Sequence, residues 1–260
     1  MNLGSFVSTK PLPVVRRVLT PVLDFLLPPR CVLCAEILAE QDGVCAPCWR
    51  KLKFLDGPIC RISGAPLPFY VREEDMVLPW LRKRPPAYDR ARAALVYDGE
   101  AAALIRRMKF RDEPALALLL AQWMRRVGER FLREADYILP VPLHARRLWT
   151  RRFNQAAELA RPLADEHGRP MQLEWLARRR FTRQQIGLSR AARRRNLRGA
   201  FRVRADVRAA LKGAHVVLVD DVFTTGATID ACARALKRAG VRHVDALTAA
   251  RVVMPEPISF

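Results

Sequence analysis

The stretch Val216-Val217-Leu218-Val219-Asp220-Asp221-Val222-Phe223-Thr224-Thr225-Gly226-Ala227-Thr228 constrains the fold more than any other part of the chain. Four apolar residues, Val216 to Val219, read as a buried strand. Two carboxylates follow at its carboxyl end, where open α/β sheets bind their ligands. A turn of small and hydroxylated residues, Thr224 to Thr228, comes next. A helical pattern then places apolar side chains at Ile229, Cys232, Ala233 and Leu236 and closes at Gly240. A helix that starts beyond such a turn aims unpaired N–H groups and the positive end of its dipole at the turn. A phosphate fits there, with threonine hydroxyls as further donors and the two aspartates within reach of sugar hydroxyls. The pattern predicts a ribose 5-phosphate site. Adjacent strand residues point to opposite faces, so one of Asp220 and Asp221 is expected to meet the ligand and the other to orient the loop.

A buried strand ending in two aspartates also occurs in Walker B segments and receiver domains, and a threonine-rich turn can simply cap a helix. The complete run is more specific. It resembles the phosphoribosyl-pyrophosphate (PRPP) signature of type I phosphoribosyltransferases: an apolar strand, two acids, one or two apolar residues, then Thr-Thr-Gly-x-Thr.

The 260 residues suit one domain of ordinary size plus a small module. Lys+Arg 46 against Asp+Glu 26 gives a net charge of +20, which favours polyanionic partners: nucleic acid, phosphorylated metabolites or an acidic membrane surface. A genome-wide bias toward arginine and alanine would raise the count as well. No run of apolar residues is long enough to cross a membrane. Charges interrupt the apolar residues before Pro28-Pro29 and no small-residue cleavage site follows, so the opening segment reads as an amphipathic helix docked on the body rather than a secretory signal. A cytoplasmic location is expected.

Four of the six cysteines fall as Cys31-x2-Cys34 and Cys45-x2-Cys48. Each CxxC turn directs two thiolates at one metal, and two turns complete a tetrahedron. In a cytoplasmic chain this spacing reads as a structural zinc site, with an iron–sulfur site or a redox pair as the alternatives. Asp42-Gly43 supplies a turn for a hairpin between the knuckles. Pro58 to Pro66 looks like a third knuckle whose second cysteine has become Ser63, and Leu78-Pro79-Trp80-Leu81 occupies the place of a fourth. Cys60 alone cannot hold a metal. Cys232, beyond the phosphate turn, reads as a small core residue.

In the middle of the chain, Arg90 to Tyr97 reads as a strand, Ala101 to Phe110 and Pro114 to about Arg133 as helices, and Asp136 to His144 as a strand that breaks into a proline-stiffened loop. The segment from Arg146 leads through Asn154-Gln155 into a helix ending about Ala164. Strand–loop–helix units of this kind belong to a mostly parallel sheet. The arginine-rich segment from Arg178 to Asn196 is a solvated basic surface, a basic flap over a pyrophosphate, or a strip for nucleic acid.

Taken together, Asp136-Tyr137-Ile138-Leu139-Pro140-Val141-Pro142-Leu143-His144, Arg151-Arg152-Phe153-Asn154-Gln155, Arg178-x2-Phe181-Thr182-Arg183-Gln184-Gln185, Arg194-Arg195-Asn196-Leu197-Arg198-Gly199-Ala200-Phe201 and the PRPP run resemble the ComF family over about residues 20 to 252. These proteins couple an amino-terminal zinc ribbon to a phosphoribosyltransferase-like domain and are associated with bacterial DNA uptake. Members often carry a double ribbon; this chain departs from that at Ser63, Leu78 and Leu81, where packing by Leu78, Trp80 and Leu81 stands in for the second metal.

The resemblance implies an α/β fold of the type I phosphoribosyltransferase kind, a mostly parallel twisted sheet flanked by helices, with a small amino-terminal zinc ribbon. The expected divisions are an amphipathic segment 1–28, a ribbon module 29–85 with a degenerate second half, a transferase-like domain 86–254 and a tail 255–260. It implies that Thr224, Thr225, Gly226, Ala227 and Thr228 cradle the 5-phosphate and that Asp220 and Asp221 hold the ribose hydroxyls, one of them touching Mg2+ through water. Val141, Pro142, Leu143 and His144 then lie against the pyrophosphate, with Arg146, Arg147, Arg151 or Arg152 as countercharge. His144 equally serves as a loop brace.

Two functions follow. One is a Mg2+-dependent transferase that uses PRPP and an acceptor the sequence does not name. The other is a DNA-uptake or recombination factor that binds single strands, with Arg151, Arg152, Asn154, Gln155, Arg178, Thr182, Gln185, Arg194 and Asn196 along the backbone path and Phe181 or Trp149 stacking on bases. Related transferases are often dimers, which leaves a homodimer open.

Overall fold

A computed structural model describes residues 28–39, 43–68, 72, 76–110, 113–143, 153–179, 196–197 and 199–253. Contacts divide the chain into two compact units, Met1–Trp49 and Arg50–Phe260. In the first, Cys31 opens a tight turn in which its N–H donates to Glu36 O at 2.7 Å and Ala35 N–H returns to Cys31 O at 2.9 Å. Ala35 takes a φ of 64° to close it. Cys48 sits on the short helix α1 (Ala46–Trp49). The expected amphipathic segment, apart from residue 28, and the Asp42 turn position lie outside the described residues.

The second unit is built on a four-stranded, all-parallel sheet in the order β1-β6-β5-β2. In chain order its elements are α2 (Pro79–Lys83), β1 (Arg90–Val96), α3 (Gly99–Phe110), α4 (Pro114–Glu134), β2 (Tyr137–Pro140), α5 (Gln155–His167), the antiparallel pair β3 (Leu176–Arg178) and β4 (Phe201–Val203), α6 (Arg208–Leu211), β5 (His215–Phe223), α7 (Ala227–Arg238) and β6 (His243–Arg251). One face of the sheet packs Val216, Leu218, Val244 and Ala246 against Ile229, Cys232, Ala233 and Leu236 of α7 and against Phe201 and Val203 of β4. The other is covered by α4 and α5. A Cβ on Gly128 of α4 would come within 2.5 Å of the Leu247 side chain, so glycine sets how closely that helix approaches β6.

The sheet shows two features that the sequence did not signal. β6, His-Val-Asp-Ala-Leu-Thr-Ala-Ala-Arg, is rich in alanine and poor in β-formers, yet it lies between β1 and β5 with Val244 to Arg251 all buried. Burial on both faces favours it over propensity. β5 continues through the two acids to Phe223, with Asp220 paired to Thr248 and Val222 to Ala250. The aspartates therefore lie inside the strand, where the sequence placed them after it.

Asp245 of β6 is fully buried. Its carboxylate accepts from Arg90 Nε at 2.9 Å and lies 2.8 Å from His215 Nε2. Burial alone would raise its pKa, but the His215 and Arg90 contacts overcome that and hold it below the usual range. Removing one partner of a buried charge pair strands the other, so Asp245→Ala is expected to cost about 3–5 kcal/mol, read from urea denaturation.

The segment from Lys53 to Gly64 covers the outer edge of β1. Val96 N–H donates to Lys53 O at 2.8 Å, Leu55 N–H to Ala94 O at 3.0 Å, and Ala91 N–H to Ile62 O at 2.7 Å. The turn at Cys60 repeats the turn at Cys31: Cys60 N–H donates to Ala65 O at 2.7 Å and Gly64 N–H to Cys60 O at 2.8 Å. Gly64 takes a φ of 66°, and a Cβ there would meet Ala91 O at 2.3 Å, so glycine is needed for both conformation and contact. Ser63 is buried, with its N–H 3.5 Å from Cys60 Sγ, and Leu81 of α2, within the place of the fourth knuckle, is buried as well. The knuckle persists as a turn whose cysteine partner is replaced by a hydroxyl.

Candidate functional site

The strand–turn–helix at the carboxyl end of β5 is assembled around Phe223 and Gly226. Gly226 caps α7 with a φ of 75°, and a Cβ there would meet the Phe223 ring at 2.6 Å. Phe223 in turn lies edge-on to Tyr88, with centroids 6.0 Å apart, and under the Arg251 guanidinium at 5.0 Å. Arg251 donates to Ser63 O at 2.6 Å, which ties the Cys60 turn to the base of the loop. The first intrahelical bond of α7 runs from Asp230 N–H to Gly226 O at 2.8 Å, so the amides of the preceding residues have no partner within the helix.

Thr225 Oγ1 is buried with no hydrogen-bond partner among the described residues. A buried hydroxyl of that kind needs a partner, and a helix amino terminus is a place where anions bind. Thr224, Thr225 and Gly226 form the turn and Ala227 and Thr228 already open α7, where the sequence pattern placed the helix after Thr228. A cavity of about 230 Å³ adjoins it, lined among others by Trp80, Arg84, Tyr88, Thr225 and Arg234.

Strand alternation separates the two acids. Asp220 shares the face of Val216 and Leu218, toward α7, where the Arg178 charge acts on it and its own charge helps to raise the buried Cys232 thiol. Its carboxylate accepts from Asp221 N–H at 2.9 Å. Burial, and next the charge of Asp221, raise the Asp220 carboxyl to about 8, against the pull of the Asp221 amide, Lys109 and Arg178. Asp221 points to the opposite face and pairs with Lys109 Nζ at 2.6 Å, both side chains being mostly buried. The sequence reading missed Lys109: it stands at the end of α3, far from the motif in sequence, and a Lys-Phe-Arg run at a helix end carries no sign of a distant carboxylate.

β2 delivers the second loop. Val141 N–H donates to Val219 O at 2.8 Å, which sets that loop beside the aspartates, and Val141 and Pro142 are buried while Leu143 is half-buried. Asn154 donates from Nδ2 to Val141 O at 3.2 Å, and its Oδ1 accepts from Ala156 N–H at 3.1 Å, capping α5. One side chain therefore fixes both the loop and the helix behind it. Gln155 is buried at 2% exposure. Asn154 is half-buried and engaged with both the loop and α5. Arg178 lies on β3 with its guanidinium 5.4 Å from the Phe201 ring, and Asn196 is half-buried in a short helical turn. His144, Arg146, Arg147, Trp149, Arg151, Arg152, Phe181, Thr182, Gln185 and Arg194 lie outside the described residues.

In the first unit, the sulfurs of Cys31, Cys34, Cys45 and Cys48 all lie within 4.8 Å of one another. Sulfurs about 2.3 Å from a common zinc stand nearly 4 Å apart, so the set fits a tetrahedral ion. Cys45 N–H points at Cys31 Sγ at 3.4 Å, and Leu33 N–H at 3.5 Å. Burial would raise the Cys31 thiol, but the amides of Cys45, Cys34 and Leu33 hold it at about 6, poised as a thiolate. The four cysteines form a structural metal site of the zinc-ribbon type. Among the described residues no helix is long and apolar enough to cross a membrane.

The parts define a class: a zinc ribbon joined to a domain of the phosphoribosyltransferase fold. Family models agree, a double zinc ribbon domain matching residues 22–78 and a phosphoribosyl transferase domain matching residues 159–252. The DNA utilization protein YhgH of Escherichia coli (strain K12) is 34% identical over 228 residues, covering 84% of this chain and 95% of that protein. Competence protein F of Haemophilus influenzae is 30% identical over 230 residues, covering 85% and 96%. Competence protein ComFC of Bacillus subtilis (strain 168) is 25% identical over 206 residues, covering 78% and 82%. The chain belongs to the ComF family. An orotate phosphoribosyltransferase structure from Aeropyrum pernix aligns with a TM-score of 0.36 and 18% identity, over 66% of this chain and 91% of that one, and adds no argument of its own.

Proposed function

We propose that the chain binds Mg2+-PRPP at the β5–α7 turn and acts as a phosphoribosyltransferase in the handling of imported DNA. The observation that carries this reading is the buried Thr225 hydroxyl at the amino terminus of α7, without a partner among the described residues and a few residues beyond the two carboxylates of β5. A scaffold has no evident need for that combination. The turn 224–228 receives the 5-phosphate, the aspartates take the ribose hydroxyls, and the loop 141–144 lies against the diphosphate. Bound magnesium would neutralise the diphosphate and ease its departure, with Asp220 and Asp221 as the carboxylates able to hold it. As the C1–oxygen bond breaks, the electron pair leaves with the diphosphate and positive charge builds on the sugar. An acceptor nucleophile then forms the new bond to C1 and gives up a proton. Negative charge beneath the ring and positive charge at the leaving group lower that barrier, and little acid–base equipment is needed.

A second reading is favoured by the names of the relatives, a DNA utilization protein and two competence proteins. In it the fold keeps its phosphate site but serves to bind single-stranded DNA. Calorimetric titration with PRPP and Mg2+, with and without a single-stranded oligonucleotide, separates the two. PRPP binding supports the transferase; an oligonucleotide that binds while PRPP does not leaves a DNA-handling scaffold. Oligonucleotide binding would weaken with salt at a log–log slope of about −0.7 per neutralised phosphate.

The Asp220 carboxyl gives the PRPP reading a pH signature. Held at about 8, it is protonated at neutral pH and must ionise to take a metal or a hydroxyl donor. Binding at pH 7 should therefore release up to one proton, visible as a heat that depends on buffer ionisation enthalpy. Affinity should rise as pH climbs from about 6 to about 8 and then level off.

A further inference from the structure

We propose that Lys109 contacts the diphosphate of the bound sugar, exchanging the Asp221 carboxylate for diphosphate oxygens as Mg2+-PRPP binds. The inference rests on the PRPP reading and assigns a residue that the motif does not contain. Lys109 Nζ lies 2.6 Å from Asp221 Oδ2, and the side chains retain only 18% and 15% of their exposure. A lysine placed so far into the protein on the acid that a sugar ligand needs is either a permanent lock on that acid or a ligand group held in place by it. The geometry favours the second. The 5-phosphate has its own cradle on α7, on the Asp220 face of the strand, whereas Lys109 approaches from the opposite face, the one covered by α4 and α5.

A ligand whose phosphate sits on α7 extends its C1 substituent away from that helix. The most highly charged group of PRPP thus arrives where a compact, strongly hydrated ammonium on a four-carbon stem can reach it. Several diphosphate oxygens outcompete one carboxylate for the same cation, and the exchange frees Asp221 for the ribose hydroxyls in the same step.

The test compares three ligands, each with Mg2+, by calorimetry on the full chain: PRPP, ribose 5-phosphate and inorganic pyrophosphate. Lys109→Met keeps the apolar stem and Lys109→Arg keeps the charge. Lys109→Met is expected to weaken PRPP and pyrophosphate by about ten- to a hundredfold, the worth of one charge-assisted hydrogen bond, while ribose 5-phosphate stays within about twofold. Lys109→Arg should restore part of the PRPP affinity. Equal losses for PRPP and ribose 5-phosphate would show a merely structural lysine and overturn the proposal, as would unchanged PRPP binding. A wild-type chain that ignores PRPP removes the underlying reading and this assignment with it. A Lys109→Met chain that does not fold hands the decision to Lys109→Arg, for which the same split between ligands applies.

Discussion

Replacing Asp220 and Asp221 together by asparagine should lower Mg2+-PRPP affinity by about a hundred- to ten-thousandfold, the combined size of two charge-assisted contacts. The two aspartates differ in what they do for the fold. Asp220 is held at about 8 against an ordinary 3.8, so between those values the folded chain keeps a proton that the unfolded chain has lost. Folded stability then declines as pH rises through that window. Asp220→Asn removes the decline, so its melting temperature should equal or exceed wild type at pH 8, with the advantage gone at pH 4. Asp221→Asn acts the other way, since it leaves Lys109 without its carboxylate at 2.6 Å. A site built for ligand rather than stability behaves like this, and thermal melts across pH read it directly. If Asp220→Asn instead proves strongly destabilising at pH 8, Asp220 is a structural group.

Replacing Cys45 by serine, or adding a chelator, should reduce zinc from about one ion per chain to none and unfold the ribbon. Apparent metal-binding free energies of small structural zinc sites are about 10–16 kcal/mol, far more than so small a unit gains from burial. Cys45 is at the centre of the arrangement, with its sulfur 3.5 Å from Cys34 Sγ and its amide directed at Cys31 Sγ. Contacts divide between Trp49 and Arg50, so the unfolding transition of residues 50–260 is expected to survive metal loss. Metal analysis by mass spectrometry, paired with circular dichroism melts, reads both halves of the prediction. A count of two ions would mean that the Cys60 turn also holds metal.

What the sequence disclosed and what it concealed have physical causes. The turn 224–228, the paired CxxC spacings and the helices from Gly99 and Pro114 were legible because each is a local pattern, a periodicity or a short run that carries its own geometry. β6 was not, because its alanines are stabilised by neighbours on both faces rather than by their own propensity. The pair β3–β4 was hidden for a similar reason: each strand has three residues and its partner lies across the arginine-rich segment. Asn154 carries a readable capping signal just before the α5 pattern, a local feature of the same kind as the turn 224–228 and the CxxC spacings. Lys109 was beyond reach, since its meaning depends on a carboxylate on a different strand. The kinship of Cys60-x2-Ser63 with the Cys31 turn was visible in sequence, but not that Ser63 O would brace Arg251 above Phe223.

The place of β6 in the sheet also has a consequence for biosynthesis. β1 pairs with β6 alone among the described strands, and β6 comes last of the six in chain order. While the chain is being made, β1 waits through every other element of the sheet for its neighbour, with the Lys53–Gly64 segment along its other edge. Contacts of such sequence separation slow folding and leave apolar surface uncovered in the interim. The nascent chain should therefore depend on chaperones until synthesis has passed Arg251, and a stop codon that removes β6 should yield aggregate rather than a shortened sheet.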